Sequence, residues 1–199
     1  IRSWNSNIDK RYWSKYGIDC KTLVKYGIHP LTCFWVNDRL INRETKERPI
    51  YGYYFGDNRW KIYRPLDSSY RWFSNVSVNT LQGYNQLDET AEYLVITKSM
   101  KDVLCLRMLG FNAIAPQSET VIITPEVINT FKTRFNKIVL NFDYDLTGVI
   151  FYNKYKKKYG FDCYFLKKEK DISDYIKENG LKKAEEMINE IKNKLNNNK

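Results

Sequence analysis

The second half of the chain alternates short apolar runs with helical segments, and this alternation constrains the fold more than any other feature. The apolar runs read EYLVIT, NAIAP, KIVLNF and FDCYFL, and the segments between them read SMKDVLCLRMLG, PEVINTFKTRFN and TGVIFYNKYKKKYG. The apolar runs lack strict alternation, which is typical of strands buried on both faces. Gly110 and Gly160 end two of the helical segments and Pro125 begins the other. The pattern predicts a four-stranded, mostly parallel sheet with helices between its strands.

The first part of the chain has a different character. It contains all five tryptophans and, up to Asp88, 14 Lys and Arg against 8 Asp and Glu. Short helices are predicted near its start, followed by a loop at His29, a β-hairpin around GDN and a short strand in YRWFSN. We therefore expect an α+β protein with a mixed, basic, aromatic-rich N-terminal subdomain (1–88), an α/β domain (89–180) and a C-terminal helix with a fraying tail (181–199).

Composition excludes several classes of function. The four cysteines are widely spaced without a CxxC pair and there is one histidine, which argues against a zinc site and against histidine-based catalysis. The sequence shows neither a signal peptide nor an uninterrupted apolar stretch long enough to span a membrane, so an intracellular protein with no membrane partner is expected. Because the chain starts at Ile1, it is expected to be a piece of a longer polypeptide. The net charge of +10 favours a polyanionic partner such as nucleic acid.

Two aspartates follow the third predicted strand directly, in NFDYDLTG. Side chains two residues apart on extended backbone point the same way, and ligands of parallel sheets bind at the carboxyl ends of the strands. Asp143 and Asp145 are therefore candidates to hold Mg²⁺. The alternative is structural, with Asp145 capping the next helix and Asp143 accepting hydrogen bonds from turn amides.

A further aspartate follows the fourth predicted strand, in KDISDY. Asp171 is expected at the same sheet edge, whereas Asp174 is equally suited to the first turn of a helix. Three converging carboxylates repel one another unless a cation lies between them. This favours a metal site formed by Asp143, Asp145 and Asp171.

These stretches together resemble the Toprim domain of DNA primases and primase-helicases of the bacterial and phage type. The similar blocks are LVITKSMKDVLCLRMLGFNAIAP, VLNFDYDLTG and KEKDISDYIKENG, and YYFGDNRWKIYRPLDSSYRWFSN is more loosely similar to the basic N-terminal subdomain of those primases. The resemblance runs from about Tyr12 to Gly180. It implies that Asp143, Asp145 and Asp171 bind Mg²⁺ or Mn²⁺.

The same resemblance implies a function. A primase core synthesises RNA primers on a single-stranded DNA template from nucleoside triphosphates during DNA replication, here of a phage type, in the cytoplasm. It also implies a zinc-binding domain upstream and a helicase partner in cis or in trans. Strand cleavage, as in topoisomerases of the superfamily, would need a tyrosine nucleophile, and the sequence singles out none of its 16 tyrosines.

One position departs from the family pattern E-G-x-x-D in the first block. Asp102 matches the final aspartate, so Lys98 stands in the place of the glutamate and Ser99 in that of the glycine. In one hypothesis Glu119 of APQSET supplies the missing carboxylate and Lys98 contacts nucleotide phosphates. In the other, the site is catalytically impaired, and the module binds single-stranded DNA beside a replicative helicase without synthesis.

A basic strand face is predicted to hold the template. Arg59, Lys61 and Arg64 of RWKIYR are expected to share one face that follows a phosphate backbone, with Arg71 adding charge beside Trp72. Lys101 of the first block is a further phosphate-binding candidate. The alternative for each of these residues is a solvated side chain without a ligand.

Overall fold

The computed structural model describes residues 1–164, 166 and 169–197, and the side chains of all of these except residues 6 and 194–197. The chain divides into two compact units. The N-terminal unit comprises Ile1–Ser14 and Ile18–Ser77, and the C-terminal unit comprises Lys15–Gly17 and Val78–Lys199.

The N-terminal unit is built mainly from short strands. Its helical segments are a π turn at Ser6–Lys10, α1 at Arg11–Trp13 and α2 at Cys20–Lys25. A 3-10 turn at Ser14–Tyr16 begins in this unit, and its other residues belong to the C-terminal unit. Its strands are β1 at Ile28–Leu31, β2 at Cys33–Val36, β3 at Arg39–Arg43, β4 at Ile50–Tyr54, β5 at Trp60–Tyr63 and β6 at Trp72–Ser74. An antiparallel sheet has the order β1-β4-β5-β6, and β2 pairs with β3 separately. The predicted short helices, the hairpin around GDN and the strand in YRWFSN are confirmed.

Two features of this unit differ from the prediction. His29 lies in β1 rather than in a loop, and Pro30 beside it is tolerated because β1 is an edge strand, which need not donate every ladder hydrogen bond. The β2–β3 hairpin was not predicted. Its turn residues Asn37 and Asp38 both have positive φ angles, 48° and 59°, which suit a tight two-residue hairpin turn.

A buried carboxylate ties the start of the chain to the sheet. Asp9 accepts hydrogen bonds from Arg2 Nη1 at 2.6 Å, Arg2 Nη2 at 2.9 Å, the Asn5 amide at 2.7 Å and the Tyr51 hydroxyl at 3.0 Å. A buried charge is tolerated only when it is paired and its oxygens are satisfied, and both conditions are met.

The C-terminal unit contains the predicted parallel sheet. Its strands are β7 at Ala91–Ile96, β8 at Asn112–Ile114, β9 at Phe135–Leu140 and β10 at Asp162–Cys163, in the order β10-β9-β7-β8 and parallel throughout. The helices are α3 at Met100–Met108, α4 at Pro125–Lys132, α5 at Leu146–Tyr159, α6 at Ile172–Asn179 and α7 at Leu181–Asn197. The predicted strand and helix order is confirmed, and the fold is α+β as expected.

Alternate residues of the central strand β7 face opposite sides of the sheet. Leu94 and Ile96 belong to a core with side chains of α4 and α5, such as Phe131 and Tyr155. Val95 lines a small cavity on the other side with residues of α3 and α7, namely Leu106, Ile188 and Ile191. Helices therefore cover both faces, which leaves the carboxyl edge of the sheet as the place where polar side chains gather.

The division between the units falls earlier than the predicted boundary at residue 88. Gln82 and Ala115 exchange backbone hydrogen bonds at 2.8 and 3.0 Å, and the Gln82 side chain donates to the Pro116 carbonyl at 2.6 Å. Further along, Asp88 is paired with Arg107 at 3.0 Å. These contacts fix residues 78–88 to the end of β8 and to α3.

None of the helices among the described residues is long and apolar enough to cross a membrane.

Strand β5 carries one lysine into the interior of the N-terminal unit. Lys61 is only 9% exposed, and its ammonium lies 5.0 Å from the centre of the Trp72 ring. Burial lowers the pKa of Lys61 from 10.5 to about 8, because removal from water disfavours the charged form.

We predict that Lys61→Met stabilises the protein at neutral pH, by about 1–3 kcal/mol in the free energy of unfolding. Below pH 8 both folded and unfolded states carry the proton, so the cost of burying the charge is felt in full. Between pH 8 and 10.5 the folded state loses the proton first, and the advantage of the variant shrinks as pH rises. Urea unfolding at pH 7 and pH 9.5 measures this. The exposed Lys46→Met is the matched control and should change little at either pH, and an advantage of Lys61→Met that grows with pH would contradict the prediction.

Candidate functional site

Every strand of the parallel sheet is followed by a charged residue of the predicted site. Lys98 follows β7, Glu119 follows β8, Asp143 and Asp145 follow β9, and Asp171 follows β10. Because the strands are parallel, their carboxyl ends lie at one edge of the sheet. The structure therefore brings the predicted catalytic and metal-binding residues to the same edge.

The ammonium of Lys98 lies between two of the aspartates. Its Nζ forms an ion pair with Oδ1 of Asp143 and another with Oδ2 of Asp171, the second at 2.8 Å. The side chains of Lys98, Asp143 and Asp171 are 17%, 3% and 11% exposed. A cation on the side chain of Lys98 thus bridges the loops that follow β9 and β10.

A second lysine, Lys170, pairs with Asp143 and Asp145, and we call this side of the site the outer position. Lys170 Nζ lies 3.2 Å from Oδ2 of Asp143 and 3.4 Å from Oδ2 of Asp145. In contrast to Lys98, the Lys170 side chain is 57% exposed. Its backbone also holds the loop after β9, because the Tyr144 amide donates to the Lys170 carbonyl at 3.2 Å.

The remaining aspartate oxygens bind the starts of helices. Asp145 is the N-cap of α5 and accepts from the Gly148 amide at 3.0 Å through Oδ1. Asp171 is the N-cap of α6, and its Oδ1 accepts from the Asp174 amide and the Ser173 hydroxyl, both at 2.7 Å. All six oxygens of Asp143, Asp145 and Asp171 therefore face a donor or a cation. The capping alternative is confirmed for Asp145, and Asp174 lies in the first turn of α6.

This arrangement limits where a metal ion fits. Within the described ranges, no group of three or more Asp, Glu, His or Cys side chains is placed to hold an ion. An ion shared by Asp143 and Asp171 does not fit while Lys98 stands between them. Among the described residues, the cation that pairs with Asp143 and Asp145 on their outer side is the half-exposed Lys170, and an ion there would compete with it. Binding of Mg²⁺ or Mn²⁺ stays a prediction, as does the metal-binding role of Asp143, Asp145 and Asp171.

Glu119 interacts electrostatically with the charged side chains of the site. Burial raises the pKa of its carboxyl group, and the negative charge of Asp143 adds to the shift, while Lys98 opposes it. Its Oε1 is buried and has no hydrogen-bond partner among the described residues. An unsatisfied buried carboxylate oxygen is costly and is the kind of atom that a cation satisfies. Glu119 is therefore suited to join an ion at the outer position, but in the structure it is not placed together with Asp143 and Asp145 as a three-carboxylate group.

We call the space between Asp143 and Asp171 the inner position. The charges there depend on burial and on Lys98. Burial raises the pKa of Asp143, and Lys98 only partly offsets this. Burial likewise disfavours ionised Asp171, but the charge of Lys98 and its hydrogen bond outweigh burial and lower the pKa. Burial by itself would lower the pKa of Lys98, yet Asp102, Asp171 and Asp143 together raise it. Lys98 therefore stays charged across the physiological pH range.

Asp102 and Ser99 support Lys98 from the first turn of α3. The Ser99 hydroxyl donates to Oδ2 of Asp102 at 2.6 Å, and Ser99 is the N-cap of the helix. Asp102 is fully buried, which raises its pKa, and the nearby charge of Asp171 acts in the same direction. Ser99 thus has a capping role at the start of α3.

Gly148 permits the close approach of α5 to the aspartate loop. A Cβ atom at this position would lie 2.1 Å from the Asp143 carbonyl oxygen, far inside contact distance. Only glycine allows the helix to begin where Asp145 can cap it and Asp143 can face Lys98.

The predicted nucleic-acid residues do not form one exposed row. Lys61 is buried in β5, while Arg64 lies just beyond the strand and pairs with Asp67 at 2.8 Å. Arg59 closes the β4–β5 turn by donating to the Phe55 carbonyl at 3.0 Å. The last two candidates also have local contacts: Arg71 donates to the Asp67 carbonyl at 3.3 Å, and Lys101 Nζ lies 4.4 Å from the centre of the Tyr16 ring. Their roles in binding stay predictions.

Sequence reasoning missed Lys170 as a part of the site, and it placed Ser99 and Asp102 in the first block without giving either residue a role. Lys170 directly precedes Asp171, so its position after the fourth strand was available as a signal. The pairing of Lys98 with two aspartates had no signal in the spacing, because it depends on the order of strands in the sheet, with β7 next to β9.

Comparisons with known proteins give the fold a precedent. No family model and no curated protein matches the sequence. Among solved structures, the chain is similar to the zinc-binding and RNA polymerase domains of the Aquifex aeolicus primase, with a TM-score of 0.62 and 16% identity over 91% of this chain and 55% of that one. It is similar to a DnaG primase catalytic domain bound to single-stranded DNA (TM-score 0.66, 13% identity, 94% and 75% covered).

The chain is also similar to the primase fragment of the bacteriophage T7 primase-helicase, with a TM-score of 0.61 and 17% identity over 92% of this chain and 76% of that fragment. At these identities the likeness establishes the fold, which is that of primase catalytic cores. The chain spans little more than half of the Aquifex structure.

We predict that Gly148→Ala destabilises the protein by about 2–3 kcal/mol or more, because the added methyl group must displace the backbone of the aspartate loop. Gly110→Ala is the control. Gly110 has a φ of 79°, but a methyl group added there would meet nothing within 4 Å, so only backbone strain of about 1 kcal/mol is expected. Urea unfolding monitored by circular dichroism compares the two variants, and equal losses would show that crowding against Asp143 is unimportant.

Proposed function

We propose that this chain is the core of a DNA primase that polymerises ribonucleotides on single-stranded DNA. The observation that carries the proposal is a fold like that of primase catalytic cores over nine-tenths of the chain, with Asp143, Asp145 and Asp171 gathered at the carboxyl edge of its sheet. Partner domains for zinc binding and helicase activity belong to the proposal.

In this reaction the protein has to position the two nucleotides and to neutralise the charge of the phosphates. The 3′-hydroxyl of one nucleotide attacks the α-phosphate of the next, a phosphodiester bond forms and pyrophosphate leaves, so the protein need not supply a nucleophile. A bound Mg²⁺ or Mn²⁺ would neutralise charge on the phosphates. Asp143, Asp145 and Glu119 are the residues that would hold it, on the outer side where Lys170 is exposed enough to give way.

A groove of about 520 Å³ in the N-terminal unit is suited to the bases of the template. It is lined by Phe34, Trp35, Trp60 and Phe73 together with small polar side chains, and Trp35 is 57% exposed. Aromatic faces stack bases without regard to sequence. The exposed arginines at both ends of β3, next to the groove strand β2, supply charge for the phosphates.

A second candidate function is binding of single-stranded DNA without synthesis. It is favoured by the saturation of all six aspartate oxygens, because a site that needs a free carboxylate pair has none until a lysine moves. In this case the module would tether DNA beside a replicative helicase, and the carboxylates would serve only to hold Lys98, Lys170 and two helix starts.

We predict that the protein, supplied with zinc-binding and helicase domains in trans, forms templated RNA on single-stranded DNA with nucleoside triphosphates and Mg²⁺ or Mn²⁺, and that Asp145→Asn lowers the rate at least about 100-fold. Asparagine retains a capping oxygen, so the fold is expected to survive. Radiolabelled primer assays measure the rate, and Glu178→Gln, at an exposed position of α6, is the control. If no RNA forms with every component supplied, while the unmodified protein and Asp145→Asn both still bind DNA, primer synthesis is excluded and DNA binding without synthesis is the function that remains.

We predict that Trp35→Ala weakens binding of an oligothymidine strand by about 5- to 100-fold, the worth of one stacked base. Fluorescence anisotropy at several salt concentrations measures the affinity, which should fall steeply as salt rises. Tyr70→Ala is the control, since Tyr70 is 80% exposed in the same unit and lies outside the groove. Equal effects of the two substitutions would exclude the groove as the base-binding surface.

A further inference from the structure

We propose that the ammonium of Lys98 is the resident cation of the inner position, between Asp143 and Asp171, and that no divalent ion enters there. The site would then hold at most one divalent ion, on the outer side of Asp143 and Asp145. The inference concerns the same edge as the proposed primase function but does not need primer synthesis to be correct.

The contacts of Lys98 are those of a structural counterion. Its Nζ reaches one oxygen of Asp143 and one of Asp171, and these two residues stand on loops that follow different strands. Both carboxylates are almost completely buried. Buried carboxylates without a cation would repel each other, so a cation is required here, and the chain supplies it from the end of β7.

A divalent ion has no simple way to replace this ammonium. Lys98 is 17% exposed, and its charge also interacts with Asp102 in the first turn of α3. An ion entering between Asp143 and Asp171 would stand against the ammonium unless the whole side chain withdrew. Withdrawal would in turn leave the buried carboxylates of Asp143 and Asp171 without the cation that they share. The cost of leaving buried charges unpaired therefore opposes exchange.

The outer position differs from the inner one in the exposure of its lysine, in the length of the ion pairs and in the freedom of the side chain to move. Lys170 is 57% exposed, its contacts with Asp143 and Asp145 are longer, at 3.2 and 3.4 Å, and its side chain can turn into solvent. The buried Oε1 of Glu119 has no partner among the described residues. Competition by a divalent ion is therefore expected against Lys170 and not against Lys98.

Counting bound Mn²⁺ tests the proposal on the unmodified protein. Electron paramagnetic resonance of free Mn²⁺ gives the number of bound ions and their affinity in the absence of DNA and nucleotides. We expect at most one ion, with an affinity that falls at least about tenfold in Asp145→Asn and by less than about threefold in Asp171→Asn. Two ions in the unmodified protein, or a tenfold loss in Asp171→Asn, would overturn the proposal.

Removing the ammonium should open the inner position. Lys98→Met keeps most of the apolar part of the side chain without its charge, and we expect it to bind one more Mn²⁺ than the unmodified protein and to gain thermal stability when Mn²⁺ is added. Lys157→Met on the exposed surface of α5 is the matched control and should bind as the unmodified protein does. An unchanged number of ions in folded Lys98→Met would count against the proposal.

Lysine reactivity gives a readout that does not depend on the folding of any variant. Acylation followed by mass spectrometry should find Lys98 protected and Lys170 reactive, with Lys98 still protected at saturating Mn²⁺. Exposure of Lys98 on addition of Mn²⁺ would overturn the proposal. If the unmodified protein binds no ion at all, Lys98 keeps its assignment and only the metal-dependent part of the proposed function fails.

Discussion

The bridge from Lys98 to Asp143 and Asp171 is the interaction on which the carboxyl edge of the sheet depends. Three elements meet there, since the lysine follows β7 and the aspartates follow β9 and β10. The bridge decides which carboxylate oxygens remain accessible, and it holds the loops in the positions from which Asp145 and Asp171 cap helices α5 and α6. Local capping and long-range charge pairing thus use the same side chains.

Much of the C-terminal unit could be predicted because its signals are local. Four apolar runs, two glycine stops and a proline start specify strands and helices residue by residue, and the parallel order then places Lys98, Glu119, Asp143 and Asp171 at one edge. The ion pairs could not be predicted in the same way. They depend on the neighbour relation of β7 and β9 and on the burial that holds an ammonium against two carboxylates, and neither is encoded in spacing along the chain.

In the N-terminal unit, less of the structure could be predicted from the sequence. The hairpin around Gly56 has a strong turn signal and was predicted, whereas the β2–β3 hairpin uses an Asn-Asp turn between strands that are largely exposed, and its apolar pattern is weak. The basic residues of β5 looked like a solvent face, but Lys61 turned out to be buried under Trp72. Alternation predicts which side chains share a face, and it does not tell which face a small aromatic-rich sheet buries.

The two lysines of the site also differ in how fast they can move. A half-exposed side chain such as Lys170 changes rotamer within picoseconds to nanoseconds, so a ligand arriving at Asp145 meets a cation that is repeatedly out of the way. Lys98 is held by two buried partners and exchanges only when the surrounding loops open, which is a far slower event. One sheet edge therefore combines a labile cation with an inert one, and the outer cation can change position without any movement of the backbone.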